Sequence, residues 1–214
     1  MNIKSETPLA PLINAAKLRT YPRGQIILYE GEAPTDVYII KNGIVKVHDI
    51  DNQGNEKILH ILKAPSLFPL AYFMQGTQET QSFHTSLTEV ELYVLPQQQA
   101  TTILKDNNEL AQYLIEWFAL ETHELLVRLS SMEKSTTRDK LIAALKFLCV
   151  YHASKEVNNW KQIDFPVSHQ LLADMIGVTR ESTTMVMKEL QETSLVRNPR
   201  LTVLQVNFKN LVKL

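Results

Sequence analysis

The sequence predicts an α+β protein in three parts. An antiparallel, jelly-roll-like β-roll occupies residues 1–106, a long helix ending in a hinge occupies 107–134, and a second compact unit of short helices closed by a strand pair occupies 135–214. Three observations carry this reading. Between Tyr21 and Leu95 the apolar residues come in short β-branched and aromatic runs, as strands do; from Asn107 to Met132 they recur at spacings of three, four and seven with no Gly or Pro, as on a helix; and after Thr136 short amphipathic helical patterns take over.

The strand runs are QIILYEGEAP, DVYIIKNG, IVKVHDIDNQGN, EKILHILKAP and TEVELYVLP. Val90, Leu92 and Val94 alternate with Glu89, Glu91 and Tyr93, which predicts a strand with one buried and one wet face. Gly24, Gly31, Gly43, Gly54 and Gly76 punctuate the runs, and Asp51-Asn52-Gln53-Gly54 stands where a hairpin loop would join Ile44–Ile50 to Ile58–Leu62. Strands this short need a closed or doubled sheet to hide their edges.

A helix of about 25 residues spans ~40 Å. Its apolar residues Leu110, Leu114, Trp117, Phe118, Leu125 and Leu129 are candidates for a dimerisation seam, interrupted by Glu121; packing along its own β-roll is the competing role, and the adjoining Trp117 and Phe118 allow both. Ser130–Thr137 is polar and marks the hinge. Arg138–His152 reads as an amphipathic helix carrying Leu141, Ile142, Leu145, Phe147, Leu148 and Val150, followed by a short strand or connector at Trp160–Val167.

Ser168–Leu190, SHQLLADMIGVTRESTTMVMKEL, carries the most information. Ser168 suits the cap of a first helix, Ala173 is small where a second helix must approach, and Gly177 permits the turn between them. Val178, Val186 and Leu190 are expected to supply the apolar contacts, and Thr179 to cap the second helix, which begins Arg180-Glu181-Ser182. A helix that enters a major groove reads base edges from its first turns. Arg180 can donate two hydrogen bonds to guanine and Glu181 can accept from cytosine; Thr184 and Met185 lie one turn on, Lys188 suits a phosphate, and Ser168, Thr179 and Ser182 are expected as further DNA contacts. In Leu195–Phe208, Val196, Leu201, Val203, Leu204 and Val206 flank Arg197-Asn198-Pro199-Arg200, two strands with a basic turn, so that the whole is a winged helix-turn-helix with Arg197 and Arg200 as phosphate contacts. The expected partner is double-stranded DNA.

Charge agrees. The net charge is −1, but residues 1–134 hold 11 Lys+Arg against 16 Asp+Glu (−5), and residues 135–214 hold 11 against 7 (+4). Other classes lack their residues. His48, His60 and His84 are isolated, with no His-x-His for a metal-dependent jelly-roll enzyme, and no nucleophile triad or Gly-rich phosphate loop is present. No cofactor, metal site or catalytic residue is expected. The single cysteine, Cys149, forbids an internal disulfide or a cysteine-ligated cluster; it reads as a small core residue, with a thiol redox sensor as the alternative. No apolar run approaches the ~18 residues of a membrane span, so a cytoplasmic protein without a membrane partner is expected. A protein–protein module without DNA activity is the remaining rival.

In this order, a β-roll with these glycines, a long helix and this helix-turn-helix resemble the CRP/FNR family of bacterial regulators across nearly the whole chain. YEGEAPTDVYIIKNGIVKV is similar to the family's second to fourth roll strands, and GVTRESTTMVMKEL to its recognition helix. The resemblance implies a two-fold homodimer, a palindromic site with half-sites about one helical turn apart, and RNA polymerase as a further partner. It also exposes departures. Phe68-Pro69 stands where cyclic-nucleotide-binding members have Gly-Glu for the ribose, and Glu79-Thr80 where they have Arg-Ser for the cyclic phosphate, so cyclic AMP is not expected and a cyclic-nucleotide regulator with an atypical pocket is only an alternative. The N-terminal cysteines of an iron–sulfur member are missing, and Met185 stands where many members have a base-reading arginine. What remains is a regulator with an unidentified effector or none. Phe68, Leu70, Tyr72, Phe73, Phe83 and Trp117 are candidates to line an apolar effector pocket, plain core being the competing reading.

Overall fold

The computed structural model describes residues 7–69, 79–200 and 203–214. It divides into two compact units: residues 1–49 with 59–122, and residues 50–58 with 123–214.

The first unit is a sandwich of two antiparallel four-stranded sheets. With β1 Lys17–Tyr21, β2 Ile26–Leu28, β3 Asp36–Asn42, β4 Ile44–Ile50, β5 Glu56–Lys63, β6 Leu67–Phe68, β7 Phe83–Ser86 and β8 Val90–Pro96, the strand orders are β1-β8-β3-β6 and β2-β7-β4-β5. One core lies between the sheets and contains Leu28, Ile40, Val45, Phe68, Val90, Leu92 and Val94. The second face of β8, expected to be wet, is covered instead. Tyr93 and Leu95 are buried in a second core with Val37 and Ile39 of β3, because helices cover that side: α1 Ala10–Ala15, α2 Gln97–Lys105 and the start of α3 Asn108–Met132. Leu9, Leu12, Ala100, Leu110 and Leu114 are the helical half of this core.

Gly43 shows why a glycine must join β3 to β4. Its φ is +93°, and a Cβ there would collide with the carbonyl oxygen of Glu89 and come within 2.9 Å of Val90 Cα. The loop after β4 is held by Asp51, whose carboxylate accepts the backbone N–H groups of Gln53 (3.0 Å) and Asn55 (2.9 Å).

In the second unit α4 Thr137–Tyr151 packs against α5 His169–Ile176 and α6 Arg180–Glu192. Thr136 caps α4, accepting from the Asp139 N–H. The order β11-β12-β10-β9 describes a small sheet made of β9 Lys155–Val157, β10 Trp160–Gln162, β11 Val196–Arg200 and β12 Val203–Asn207, and α7 Phe208–Leu211 follows. Leu141, Leu145, Leu148, Leu172, Ala173, Leu190, Leu204 and Val206 are buried at the centre. Val150, expected on the apolar face of α4, is exposed, while Ala144 and Cys149 are buried; the face is turned slightly from the one the leucines alone suggest. Strand β9 was not foreseen. It pairs with β10 through Asn158-Asn159, both at positive φ, as a tight hairpin turn needs.

Candidate nucleic-acid interface

Local caps and turns shape the helix pair. Ser168 accepts from the Leu171 N–H and Thr179 from the Ser182 N–H, so both helices carry the side-chain caps that their first N–H groups require. Gly177 sits at φ +67° and its N–H closes on Ala173 O, which turns the chain from α5 into α6. Helix α6 ends without glycine: Ser194 takes the left-handed conformation and Leu195 N–H returns to Leu190 O at 2.8 Å.

Of α6, Thr183, Met187 and Leu190 are buried, at the i, i+4, i+7 spacing of a packed face. Val178 and Val186, expected in that role, are half-buried; Thr183 is fully buried, with its hydroxyl donating to Thr179 O at 3.1 Å. Arg180, Glu181, Thr184, Met185 and Lys188 are all exposed and share another side of the helix. The geometry therefore brings together the five residues that sequence placed on the reading face. Thr179 and Ser182, also expected as DNA contacts, are exposed and half-buried respectively, and the Thr179 hydroxyl donates to Ser182 Oγ at 3.0 Å.

Two contributors to this surface were not foreseen. His169, at the start of α5, lies with Nδ1 3.0 Å from Thr184 Oγ1. The Thr184 hydroxyl already donates to Arg180 O (2.8 Å), so the imidazole must donate from Nδ1. Burial, and then the charge of Arg180, push the His169 pKa down, which favours the neutral ring there. Arg138 donates from Nε to Glu189 Oε1 at 2.8 Å and fixes α4 to the exposed side of α6. A histidine or arginine one element away carries no periodic signal, and only packing reveals it.

In the wing, Arg200 is exposed and Leu201 lies outside the described residues. Arg197 is less free than a phosphate-seeking side chain on an open turn. Its guanidinium carbon lies 4.1 Å from the centre of the Trp160 ring and its Nε donates to Gln205 Oε1 at 2.7 Å.

The long helix carries two stripes. Leu110 and Leu114, expected in a seam, are buried in the core of the first unit, and the same stripe continues through half-buried Trp117 and Glu121 to Arg128. Glu121 Oε2 is 2.7 Å from His60 Nε2. Rotated by about 100°, Ile115, Phe118, Thr122, Leu125 and Leu129 form a second stripe at spacings of three, four, three and four, and every one of them is exposed. Glu121 thus belongs to the inward stripe and does not interrupt the outward one. Ile115 was missed because the sequence seam followed the wrong stripe at its start.

Of the effector-pocket candidates, Leu70, Tyr72 and Phe73 lie outside the described residues. Phe68 is buried between Tyr38 and His84, stacked on each with ring centres 5.2 Å apart, and Phe83 stacks on His48 at 5.4 Å. The three strand histidines are buried. Burial pushes the His84 pKa down to about 4 against an opposing Ser82 backbone hydrogen bond, so this ring is neutral near pH 7. Among the described residues no three His, Cys, Asp or Glu side chains gather as a metal ion would need. Thr80 is buried, with its hydroxyl donating to Tyr29 O at 2.5 Å. Cys149 is buried and its thiol is pushed up to about 12, chiefly by burial.

Comparison with known proteins gives a consistent picture. Residues 18–107 match the model of the cyclic nucleotide-binding domain, and residues 139–211 that of the Crp-like helix-turn-helix domain. The chain is 24% identical over 180 residues to the global nitrogen regulator of Nostoc sp., covering 84% of this chain and 80% of that protein. It is 27% identical over 183 residues to the HTH-type transcriptional regulator ArcR of Staphylococcus haemolyticus, covering 85% and 79%. Its fold resembles that of a CRP/FNR-family transcriptional regulator from Thermus thermophilus, with a TM-score of 0.71, 24% identity, and coverage of 92% of this chain and 97% of the other.

Proposed function

Because this chain belongs to the CRP/FNR family of transcription regulators, we propose that it reads a palindromic DNA site as a homodimer, inserting α6 of each protomer into successive major grooves. The observation that carries this is the exposed set Arg180, Glu181, Thr184, Met185 and Lys188 on a capped helix whose other side is buried. Arg180 and Glu181 read base edges; Lys188, Arg200 and the Ser168 hydroxyl at the mouth of α5 hold phosphates and set register. Met185, the most exposed large apolar residue of α6, offers apolar contact where a second charged reader would otherwise stand, which suits a thymine methyl. RNA polymerase is the further partner.

The seam of the dimer is Ile115, Phe118, Thr122, Leu125 and Leu129 facing its own copy. Leu110 and Leu114 take no part, since their surface is already covered. The β-roll serves as the regulatory domain, through an unidentified effector or without one, and a cyclic nucleotide is not expected. Its Phe68-Pro69 and Glu79-Thr80 replace the polar pairs the family uses, and the Thr80 hydroxyl is engaged by backbone. A thiol switch at Cys149 is disfavoured, because a buried thiol of high pKa offers no accessible thiolate.

The test selects duplexes from a random pool with the full-length protein and compares variants on the winners. Arg180→Ala is expected to erase preference at one position of each half-site, by about ten- to a hundredfold. Lys188→Ala is expected to weaken all duplexes alike and to lower the slope of log affinity against log salt by about one. Selection of no sequence, or a salt slope near zero, would overturn the proposal.

A further inference from the structure

Arg128 lies on the inward stripe of α3, three residues after the outward-facing Leu125 and next to the outward-facing Leu129, and is only 2% exposed. A cation in such surroundings is costly unless its hydrogens find acceptors. Burial pushes its pKa down to about 10, which leaves the guanidinium charged at neutral pH. Its acceptors are two backbone carbonyls of different elements. Nη2 donates to Ile58 O at 3.0 Å and to Met175 O, while Nη1 is buried with no hydrogen-bond partner among the described residues.

Both carbonyls are informative. Met175 is in the last turn of α5, where the final carbonyls have no intrahelical donor and the helix dipole is negative, so the guanidinium caps the first helix of the DNA-reading pair. Two residues on, Gly177 makes the turn into α6. Ile58 ends the hairpin segment 50–58, whose tip is organised by the Asp51 carboxylate through the Gln53 and Asn55 N–H groups and by the Lys57 ammonium at 3.6 Å.

We propose that Arg128 is a positioning residue that couples the hairpin segment 50–58 to the helix-turn-helix. One nitrogen supplies both hydrogens, so a displacement of Ile58 either takes its hydrogen bond from Met175 or draws the end of α5 along. The orientation of α6 at its glycine turn then depends on where the hairpin stands, and a perturbation of the hairpin is felt at the reading face. The functional meaning rests on the DNA-binding reading above; the mechanical coupling does not.

The test measures amide hydrogen exchange on the full-length protein without DNA, in a cycle of Asp51→Ala, Arg128→Met and the double variant. Arg128→Met alone is expected to speed exchange at both 56–58 and 175–178 by about tenfold, the worth of one charge-assisted hydrogen bond. Asp51→Ala is expected to speed exchange at 175–178 in the Arg128 background and to add nothing in the Arg128→Met background. Arg128→Lys, whose ammonium keeps the charge without the planar fork, carries the same cycle should Arg128→Met fail to fold, and there the Asp51→Ala effect must shrink. An Asp51→Ala effect that is equal in the two backgrounds, or absent with Arg128 intact, overturns the coupling. Binding of the selected duplexes separates the two claims: coupled exchange in a protein that binds no duplex refutes the DNA reading alone, and sequence-specific binding with uncoupled exchange refutes the coupling alone.

Discussion

Replacing Phe118 by glutamate tests the proposed dimer seam at the point where its physics is simplest. Phe118 is 54% exposed, and Ile115, Leu125 and Leu129 are 70%, 45% and 56% exposed on the same stripe. Burying a whole side chain of this kind contributes about 1.5–3 kcal/mol, so the exposed half of Phe118 is worth roughly 1.3 kcal/mol in each protomer. Two-fold symmetry doubles this, and a loss of about 2.5 kcal/mol raises the dimer Kd by close to a hundredfold. Two carboxylates meeting near the axis add to the effect. Sedimentation velocity over a wide concentration range measures it. Leu120→Glu is the control: Leu120 is 65% exposed but lies about half a turn round the helix from the seam. The reasoning is refuted if Phe118→Glu leaves the dimer fraction unchanged, or if Leu120→Glu disrupts it equally.

Other expectations follow from single residues. Gly177→Ala introduces strain at φ +67° but no clash, whereas Gly43→Ala combines a φ of +93° with a collision against Glu89 O; urea unfolding should show losses of about 1–2 kcal/mol for the first and clearly more for the second. His84 has its folded pKa lowered from 6.5 to about 4, so it stabilises the fold above pH 6.5, and that contribution, ~3 kcal/mol, is lost as pH falls towards 4. Urea midpoints of His84→Phe should accordingly fall less steeply between pH 6.5 and 4 than those of the unsubstituted protein. The Cys149 thiol is expected to resist a thiol reagent in the folded protein, reacting only at rates limited by unfolding, and oxidant should leave duplex binding unchanged; rapid native labelling would restore the redox reading.

The exposed face of α6 was legible in the sequence because a helix surface is periodic and its caps are local. Ser168, Gly177 and Thr179 fix where the two helices start and turn, and Arg180 to Lys188 then have one way to face. Less legible was the second face of β8. Alternation marked Val90, Leu92 and Val94, but Tyr93 is buried by helices α1 to α3, and no pattern within a strand reports what covers its far side. The Asn158-Asn159 turn was a missed local signal, since asparagine tolerates the left-handed conformation that a two-residue hairpin loop requires.

By itself the sequence determined the order of the parts, the caps and turns of the helix pair, and which residues of its second helix are polar, since all of these depend on near neighbours along the chain. Tertiary structure alone decided which of two stripes on the long helix is covered, that Arg128 spans Ile58 and Met175, and that His169 leans on Thr184. Those contacts join residues far apart in sequence, and a one-dimensional pattern records a residue's own preference but not the partner that folding brings to it.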